Sequence, residues 1–510
     1  MGRRRATTLL LLVIALSGVF RWWTRSEFNY NMDSYNYMLG ARMLARTGHL
    51  SGQLGPCGYF FCPHPKWLYK WGYIYFLSPF SLAGDQEGTA RWTGLFLSLT
   101  GIYFAYRIAR SLGAKREGSL LVACLSAGSY HSMTWSTEII SDNLGVTLLL
   151  ASLFFLLEGT KRRPSWLLCS AGLLGAGVLV RNEYVVLALP WTTHVLLSPK
   201  ARSKWLLVLA AGVVGCVLLG AGIGFAAWDL RGMTPVRYWT GASSRGLILP
   251  EAFRSLYVGQ SLPKYAISEP GLWGLATLGM AGCVRKKDKL LGLISLSMIL
   301  MIMVYMSFHN QQVRYYYHIS PFLLLLASRC VEMFPGGDTF SGVQRRLSRP
   351  KVVVGFVAFC LILQVGIRAH KGRSLPGFEK EEALTIRNVL ERDGLLKADL
   401  LITRNWRAGH FYTGISTQPF QFENGRVACI ENCSEQAVIL LVINDYLRHA
   451  MEEIEPIVRS TEGIEEIVSF EVEATRQPWY RFTNPRTVVF RTDPKGVFAL
   501  RERLMDVNLP

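Results

Sequence analysis

Asp33 stands in the stretch FNYNMDSYNYMLGARMLARTGHL, from Phe28 to Leu50, a few residues beyond a long apolar run. It precedes Ser34 to Thr47, in which Tyr37, Met38, Ala41, Leu44 and Ala45 form one apolar face and Gly48 follows. The plain reading is a helix N-cap. Lys66 and Lys70, in PHPKWLYKWGYIYFLSPF, are four apart and share a face if the segment is helical. Trp67, Tyr69, Trp71, Tyr73 and Tyr75 surround them. Lysine among aromatic residues suits interfacial anchoring, or a cationic grip on a lipid phosphate. Glu138 and Asp142 are also four apart. They cap the following apolar run, or they stand near Asp33 and hold a cation or a sugar hydroxyl. Arg181 and Glu183 interrupt two apolar runs. Either they pair in a turn, or they are functional charge at a depth where charge is costly. His309, Arg314 and His318 gather in FHNQQVRYYYHISPF.

The elements that would position these residues are apolar spans. The chain has 510 residues, of which 50% are hydrophobic and 18% charged, low for a soluble protein of that length. Aromatic residues reach 12%, which suits a protein with two membrane interfaces. Apolar runs lie near 7–23, 92–108, 118–136, 143–158, 166–180, 184–197, 205–228, 270–284, 290–308, 315–332 and 351–367, giving about 11 spans. Basic clusters at Arg3 to Arg5, Arg107 to Arg116, Lys161 to Arg163, Lys200 to Lys204, Arg285 to Lys289 and Arg345 to Lys351 fall at every second loop. This alternation predicts a cytoplasmic N-terminus. It also makes most of the formal charge of +19 a matter of topology, with no basic face massed for nucleic acid. The first span resembles a signal peptide, but Phe20-Arg21-Trp22-Trp23 follows it where a small-residue cleavage site would stand. An uncleaved anchor is expected.

An all-α polytopic membrane domain is therefore expected over 1–367, with extracytoplasmic loops 24–91 and 229–269. The tail, 368–510, is rich in Glu and Arg and has no span-length run. FEKEEALTIRNVLERDG reads as a helix ending at Gly394, ADLLIT and AVILLVI as buried strands, and DYLRHAMEEIEPIVRS as a helix. A small extracytoplasmic α/β domain is predicted. Gly172, Gly175 and Gly177 lie within a span, where small residues serve close helix packing. Six cysteines fall in or beside spans; Cys57 with Cys62 and Cys429 with Cys433 form close pairs on the expected outer, oxidising side. Two disulfides, a metal site at Cys57, Cys62 and His64, or free thiols all fit that spacing.

Taken together, these stretches resemble the GT-C superfamily of membrane glycosyltransferases, and most closely the protein O-mannosyltransferase and lipid A aminoarabinose transferase branch. DSYNYMLGA supplies Asp33, Tyr37 and Ala41 where the family has an acid, a tyrosine and a small residue after its first span. HPKWLYKWGYIYFLSPF resembles the family's lysine-proline stretch before a tyrosine-rich segment. EGTARWTGLFLSLTGIYFAYRIARSLG, LLGAGVLVRNEYVVLALP and VRYYYHISPFLLLLA resemble later spans. The likeness covers roughly residues 7–333. Two departures are Ser34, where the family often has a second acid, and Trp67 after Lys66. The Trp-Trp-Asp signature of oligosaccharyltransferases is missing, since Thr24 follows Trp22-Trp23.

The resemblance implies a polyprenyl-phosphate-linked sugar donor and inverting transfer to a lipid, glycan or protein acceptor on the extracytoplasmic face of the plasma (inner) membrane. It implies Asp33 as general base. Lys66, Lys70, Arg181 and Arg314 would stabilise the departing lipid phosphate. Glu138 or Asp142 could hold a divalent cation, which the sequence does not demand. The rivals are a polytopic transporter or lipid flippase and a membrane scaffold with a partner-binding tail. A transporter would commonly show internal repeats, and none is visible.

Overall fold

The computed structural model describes residues 2–25, 32–49, 52–53, 60–61, 71–82, 84–198, 265–266, 269, 272–277, 279–280, 289–306, 313–333, 378–403, 406–419, 433–444, 454–471 and 486–505. The expected spans 205–228 and 351–367, and the loop 229–264, lie outside the described residues. The chain forms two compact units: Met1–Arg25, His64–Phe76 and Glu87–Gly372, and Ser26–Pro63, Leu77–Gln86 and Arg373–Pro510.

The first unit is helical. It holds α1 (Arg3–Trp23), α3 (Trp71–Leu77), α4 (Gln86–Ser111), α5 (Arg116–Gly128), α6 (Tyr130–Trp135), α7 (Ser141–Lys161), α8 (Trp166–Val180), α9 (Ala188–Leu196), α10 (Lys289–Met306) and α11 (Ser320–Met333). Among the described residues, α1 and α7 are long and apolar enough to cross a membrane. α4 is longer, at 26 residues. Two expected spans are broken. The run 118–136 is α5 and α6, separated at Ser129, whose ψ of 126° is not helical. The run 184–197 opens as a 3-10 turn, Asn182–Leu187, before α9. Pro190 and Pro321 sit in the first turns of α9 and α11, where a missing N–H costs nothing.

α7 and α8 form a tight hairpin. Ser152 Oγ donates to Ser170 O at 2.6 Å and Ser170 Oγ to Ser152 O at 2.8 Å. Such reciprocal small polar contacts hold helices together where apolar solvent removes the hydrophobic drive. Gly159 makes the approach possible, since a Cβ there would stand 2.8 Å from Leu167. Gly172, expected at a close crossing, faces open space, whereas Gly177 lies under the Tyr184 ring.

The second unit contains α2 (Met32–Thr47), a two-residue hairpin β1 (Gly52–Gln53) and β2 (Phe60–Phe61), α12 (Phe378–Arg392), α13 (Trp406–Thr413), α14 (Glu455–Arg459) and α15 (Pro494–Met505). Strands β3 (Leu400–Thr403), β4 (Thr417–Pro419), β5 (Ile439–Asn444), β6 (Glu465–Glu471) and β7 (Arg486–Thr492) form a sheet of order β4-β3-β5-β7-β6. β3 is parallel to β4 and β5; β7 is antiparallel to β5 and β6. Side-chain alternation with period 2 buries both faces. Leu400, Ile402, Leu441, Ile443, Val488 and Phe490 face α14 and α15. Leu401, Leu440, Val442 and Val489 face α12 through Ile386 and Leu390. The helix expected to end at Gly394 does so, with Gly394 at φ 69°.

Helix α2 carries the expected apolar face, with Tyr37, Met38 and Ala41 buried. Its start differs from the sequence reading. The helix begins at Met32, so Asp33 lies inside the first turn and is not the N-cap. Gly48 closes the helix with φ +75° and donates to Leu44 O at 2.9 Å. α2 packs on α13: Tyr35 lies against Phe411 and Tyr412, and the Arg42 guanidinium stands 4.4 Å over the Phe411 ring. Arg42 Nε also donates to Gln86 Oε1 at 3.2 Å, and Gln86 Nε2 to Met38 O at 2.9 Å.

Candidate functional site

A cluster of buried polar residues of the helical unit forms where α7 begins and α8 ends. Ile140 is extended (φ −134°, ψ 152°), so α7 starts at Ser141 and places Asp142 in its first turn. Glu138 therefore sits in the preceding turn, not four residues along the same helix; its N–H donates to Trp135 O at 3.2 Å. α8 ends at Arg181, whose backbone opens to φ −149°, ψ 99° while its N–H still reaches Gly177 O at 2.7 Å. An anion at a helix start and a cation at a helix end are each where the macrodipole favours them.

Arg181 Nη2 bonds Asp142 Oδ1 in a fully buried ion pair. Arg181 Nη1 lies 3.5 Å from Glu183 Oε1. The third partner of Asp142 is His318, from the 3-10 turn Val313–Ile319, with Nε2 2.9 Å from Oδ1. His318 Nδ1 lies 2.6 Å from the Tyr184 hydroxyl. The carboxylate accepts only, so His318 carries its proton on Nε2 and Nδ1 accepts from Tyr184. Asp142, His318 and Tyr184 thus form one directed hydrogen-bond chain. Gly145 makes room for it: a Cβ there would meet the Tyr184 hydroxyl at 3.0 Å, Arg181 Cγ at 3.2 Å and His318 Cε1 at 3.5 Å. Tyr305 of α10 closes the side, its ring centroid 6.0 Å from that of His318.

Glu138, Asp142 and Arg181 are each 1% exposed. The Arg181 guanidinium supplies positive charge to the Asp142 and Glu183 carboxylates. Among the described residues no group of three or more His, Cys, Asp or Glu is arranged to hold a metal ion. Asp33 lies on the described backbone of α2 and Arg314 on that of the turn Val313–Ile319, but their side chains lie outside the described residues. Lys66, Lys70, His309, Cys57, Cys62 and Cys429 also lie outside them. Cys433 borders the core of the sheet. The segment that follows the lysines is described. It docks on the end of α8, where a Cβ on Gly72 would stand 2.8 Å from the backbone carbon of Leu179, two residues before Arg181.

Residues 71–228 match the family model of dolichyl-phosphate-mannose-protein mannosyltransferases. ArnT from Cupriavidus metallidurans, in its apo state, superposes with a TM-score of 0.64 at 13% identity, covering 95% of this chain and 98% of that one. The chain has the GT-C fold. Within the GT-C fold, the same ArnT bound to undecaprenyl phosphate gives a TM-score of 0.63 at 12% identity, with the same 95% and 98% coverage. The oligosaccharyltransferase of Archaeoglobus fulgidus, in complex with zinc and sulfate, gives 0.55 at 12% identity over 87% of this chain and 69% of that one. The mycobacterial arabinofuranosyltransferase AftD gives 0.54 at 16% identity, over 96% of this chain and 41% of that one. No curated protein matches by sequence.

Sequence reasoning had singled out Asp142, Arg181, Glu183 and His318 in separate stretches. It missed Tyr184 and Tyr305, whose aromatic side chains in apolar runs look like ordinary core. Gly145 also escaped notice, although a glycine one turn after an acid at a helix start is a signal of close approach.

Proposed function

We propose that this GT-C glycosyltransferase moves a sugar from a polyprenyl-phosphate-linked donor to a lipid, glycan or protein acceptor on the extracytoplasmic face of the inner membrane. The N-terminus is cytoplasmic and the 368–510 region extracytoplasmic in this reading. The observation that carries it is the docking of Gly72 against Leu179. That contact brings the chain leaving Lys66 and Lys70 to the helix end that bears Arg181, within the family-matched segment. A nucleotide sugar is confined to the cytoplasm, whereas a lipid-linked sugar can be presented at the outer surface.

In the reaction, the acceptor hydroxyl or amine gives its proton to Asp33 and attacks the anomeric carbon. The bond from that carbon to the phosphate oxygen breaks, and the lipid phosphate leaves with the electron pair. Attack opposite the leaving group inverts the anomeric centre. Lys66, Lys70 and Arg314 stabilise the charge that builds on the phosphate. Arg181 contributes to the same field while tied to Asp142. Asp142 and Glu138 would contact sugar hydroxyls or, were a divalent cation bound, would hold it.

The test compares glycolipids and glycoproteins, by mass spectrometry, from cells with and without the protein. Loss of one sugar modification, restored by the wild type and not by Asp33→Asn, is expected. Identical glycan profiles with and without the protein would overturn the reading. So would Asp33→Asn restoring the modification in full.

A further inference from the structure

A second buried polar group lies elsewhere in the helical unit, at the break between α5 and α6. Gly128-Ser129 interrupts the helix, so the last carbonyls of α5 and the first N–H groups of α6 lose their intrahelical partners. Buried away from water, each such group is costly unless it is satisfied. Ser129 takes two of them itself, its Oγ accepting from the Ser132 N–H at 3.3 Å and its carbonyl from the Met133 N–H at 2.9 Å, and two charged side chains from remote parts of the sequence serve others.

Arg21, near the end of α1, is 1% exposed. Its Nη2 donates to Ser126 O and Ala127 O, both at 3.2 Å, and to Ser132 Oγ at 3.0 Å. Its Nη1 donates to Ser132 O at 3.2 Å and bonds Ser98 Oγ of α4, and its Nε donates to Ser17 Oγ at 2.9 Å. Glu269, 2% exposed, takes the other side. Its Oε1 accepts from Ser129 Oγ at 2.6 Å and from the His131 N–H at 3.3 Å. Cation and anion stand at the helix ends that the dipole prefers. A cavity of about 20 Å³, enough for one water, adjoins the break, with Ser98, Ser126, Ser129, Ser132 and Tyr317 on its wall.

The break leads straight into the acid-bearing turn. α6 is only 6 residues long. After it, Ser136 Oγ donates to Met133 O at 2.8 Å, Glu138 N to Trp135 O at 3.2 Å and Ile140 N to Glu138 O at 3.0 Å, and Asn143 Nδ2 bonds Trp135 O. Gly94 of α4 lies under this turn, where a Cβ would meet Ser136 O at 3.0 Å. No slack is available between Ser129 and Asp142. On the other side, Tyr317 lines the cavity and adjoins His318, the partner of Asp142.

We infer that Arg21 and Glu269 are positioning residues: they cap the two ends of the broken α5–α6 helix and thereby fix the turn that carries Glu138 and Asp142. This rests on the transferase reading for its catalytic consequence and on the hydrogen bonds alone for its structural one. Lysine at position 21 keeps the charge but has only one nitrogen, too few for acceptors spread over α1, α4, α5 and α6. Gln at position 269 keeps the shape and the acceptor while removing the charge.

The test uses the full-length protein, purified, as wild type, Arg21→Lys and Glu269→Gln. Backbone amide exchange over 129–142 is expected to rise about tenfold or more in both variants, with α8 unchanged. Binding of undecaprenyl phosphate, the probe for the lipid end of the donor site, stays within about twofold. Product formation in complemented cells, normalised to folded protein, falls about 10- to 100-fold, as for misplacement of a reacting group by about 1 Å. If one variant fails to fold, the other is read alone. Unchanged exchange over 129–142 overturns the inference, as does probe binding and product lost together. If the wild type forms no product, the transferase reading falls instead, and the exchange data still decide the capping.

Discussion

Replacing Arg181 with methionine asks whether this residue is a lock or a grip. The side chain is fully buried, and its guanidinium contacts Asp142 and Glu183, themselves 1% and 7% exposed. Methionine fills much of the volume, so the main loss is the cation between two buried carboxylates. Removing one partner of a buried pair costs about 3–5 kcal/mol, because the remaining charge is stranded. For a cooperative unit of this size that is a fall on the order of 5–10 °C in melting temperature. Converting Asp142 to Asn at the same time removes one stranded charge and leaves an acceptor for the His318 Nε2 proton. The double variant is therefore expected to regain about half of the lost stability. The assay is thermal unfolding of purified protein followed by size exclusion, run beside undecaprenyl phosphate binding. If Arg181 also grips the lipid phosphate, binding stays lost in the double variant although stability returns. If it is a lock alone, binding returns with the fold. A single Arg181→Met variant that melts like the wild type would refute the ion-pair reasoning.

Gly145→Ala is expected to cost about 1–3 kcal/mol by overpacking, since its methyl would stand 3.0 Å from the Tyr184 hydroxyl; Gly172→Ala, with open space, is expected to melt unchanged. Asp33→Asn keeps a short side chain in the first turn of α2 and is expected to fold normally, but to lose about 10²–10⁴ in turnover if Asp33 is the base; near-normal turnover would send the search for the base to Glu138 or Asp142. Cys57 with Cys62, and Cys429 with Cys433, are expected to resist alkylation in intact protein until a reductant is added, and ready labelling would refute the disulfides. Burial pushes the His410 imidazole below its ordinary value, and Arg42 and Arg46 push the same way, against its bond to Ile415 O. Folded protein then binds fewer protons than unfolded, so stability is full above about pH 6.5 and falls on acidification. His410→Gln should flatten that fall in melts taken between pH 7.5 and 5.5.

What the sequence made legible followed from periodicity and from punctuation. The apolar face of α2 repeats at helical spacing, and Gly48 stops it. The strands of the sheet are short apolar runs, and the helix before them ends at Gly394. The break at Ser129 was not legible, because apolar and small residues continue unbroken through LVACLSAGSYHSM and no proline marks the site. Arg21 was read only as the flank of a first span. Its acceptors are backbone carbonyls and serine hydroxyls from α1, α4, α5 and α6, groups that carry no signal in a sequence. The ion cluster was half legible: each member was a charge in an apolar setting, but Asp142, Arg181 and His318 come from three separate stretches, and only packing brings them together.

The positions of these buried charges obey one rule. Asp142 is in the first turn of α7 and Glu269 serves the His131 N–H at the start of α6, whereas Arg181 closes α8 and Arg21 serves the last carbonyls of α5. Anions stand at helix starts and cations at helix ends, so each charge offsets part of its burial cost with an exposed backbone dipole. Uninterrupted membrane helices would need no such charges. The charges are therefore the means by which this unit keeps irregular backbone inside an apolar bundle. Irregular backbone is what lets a bundle turn side chains and amides toward a polar substrate without unravelling. A second charge centred on Arg21 thus follows from the same need that built the cluster around Arg181: both hold interrupted helix ends within the bundle.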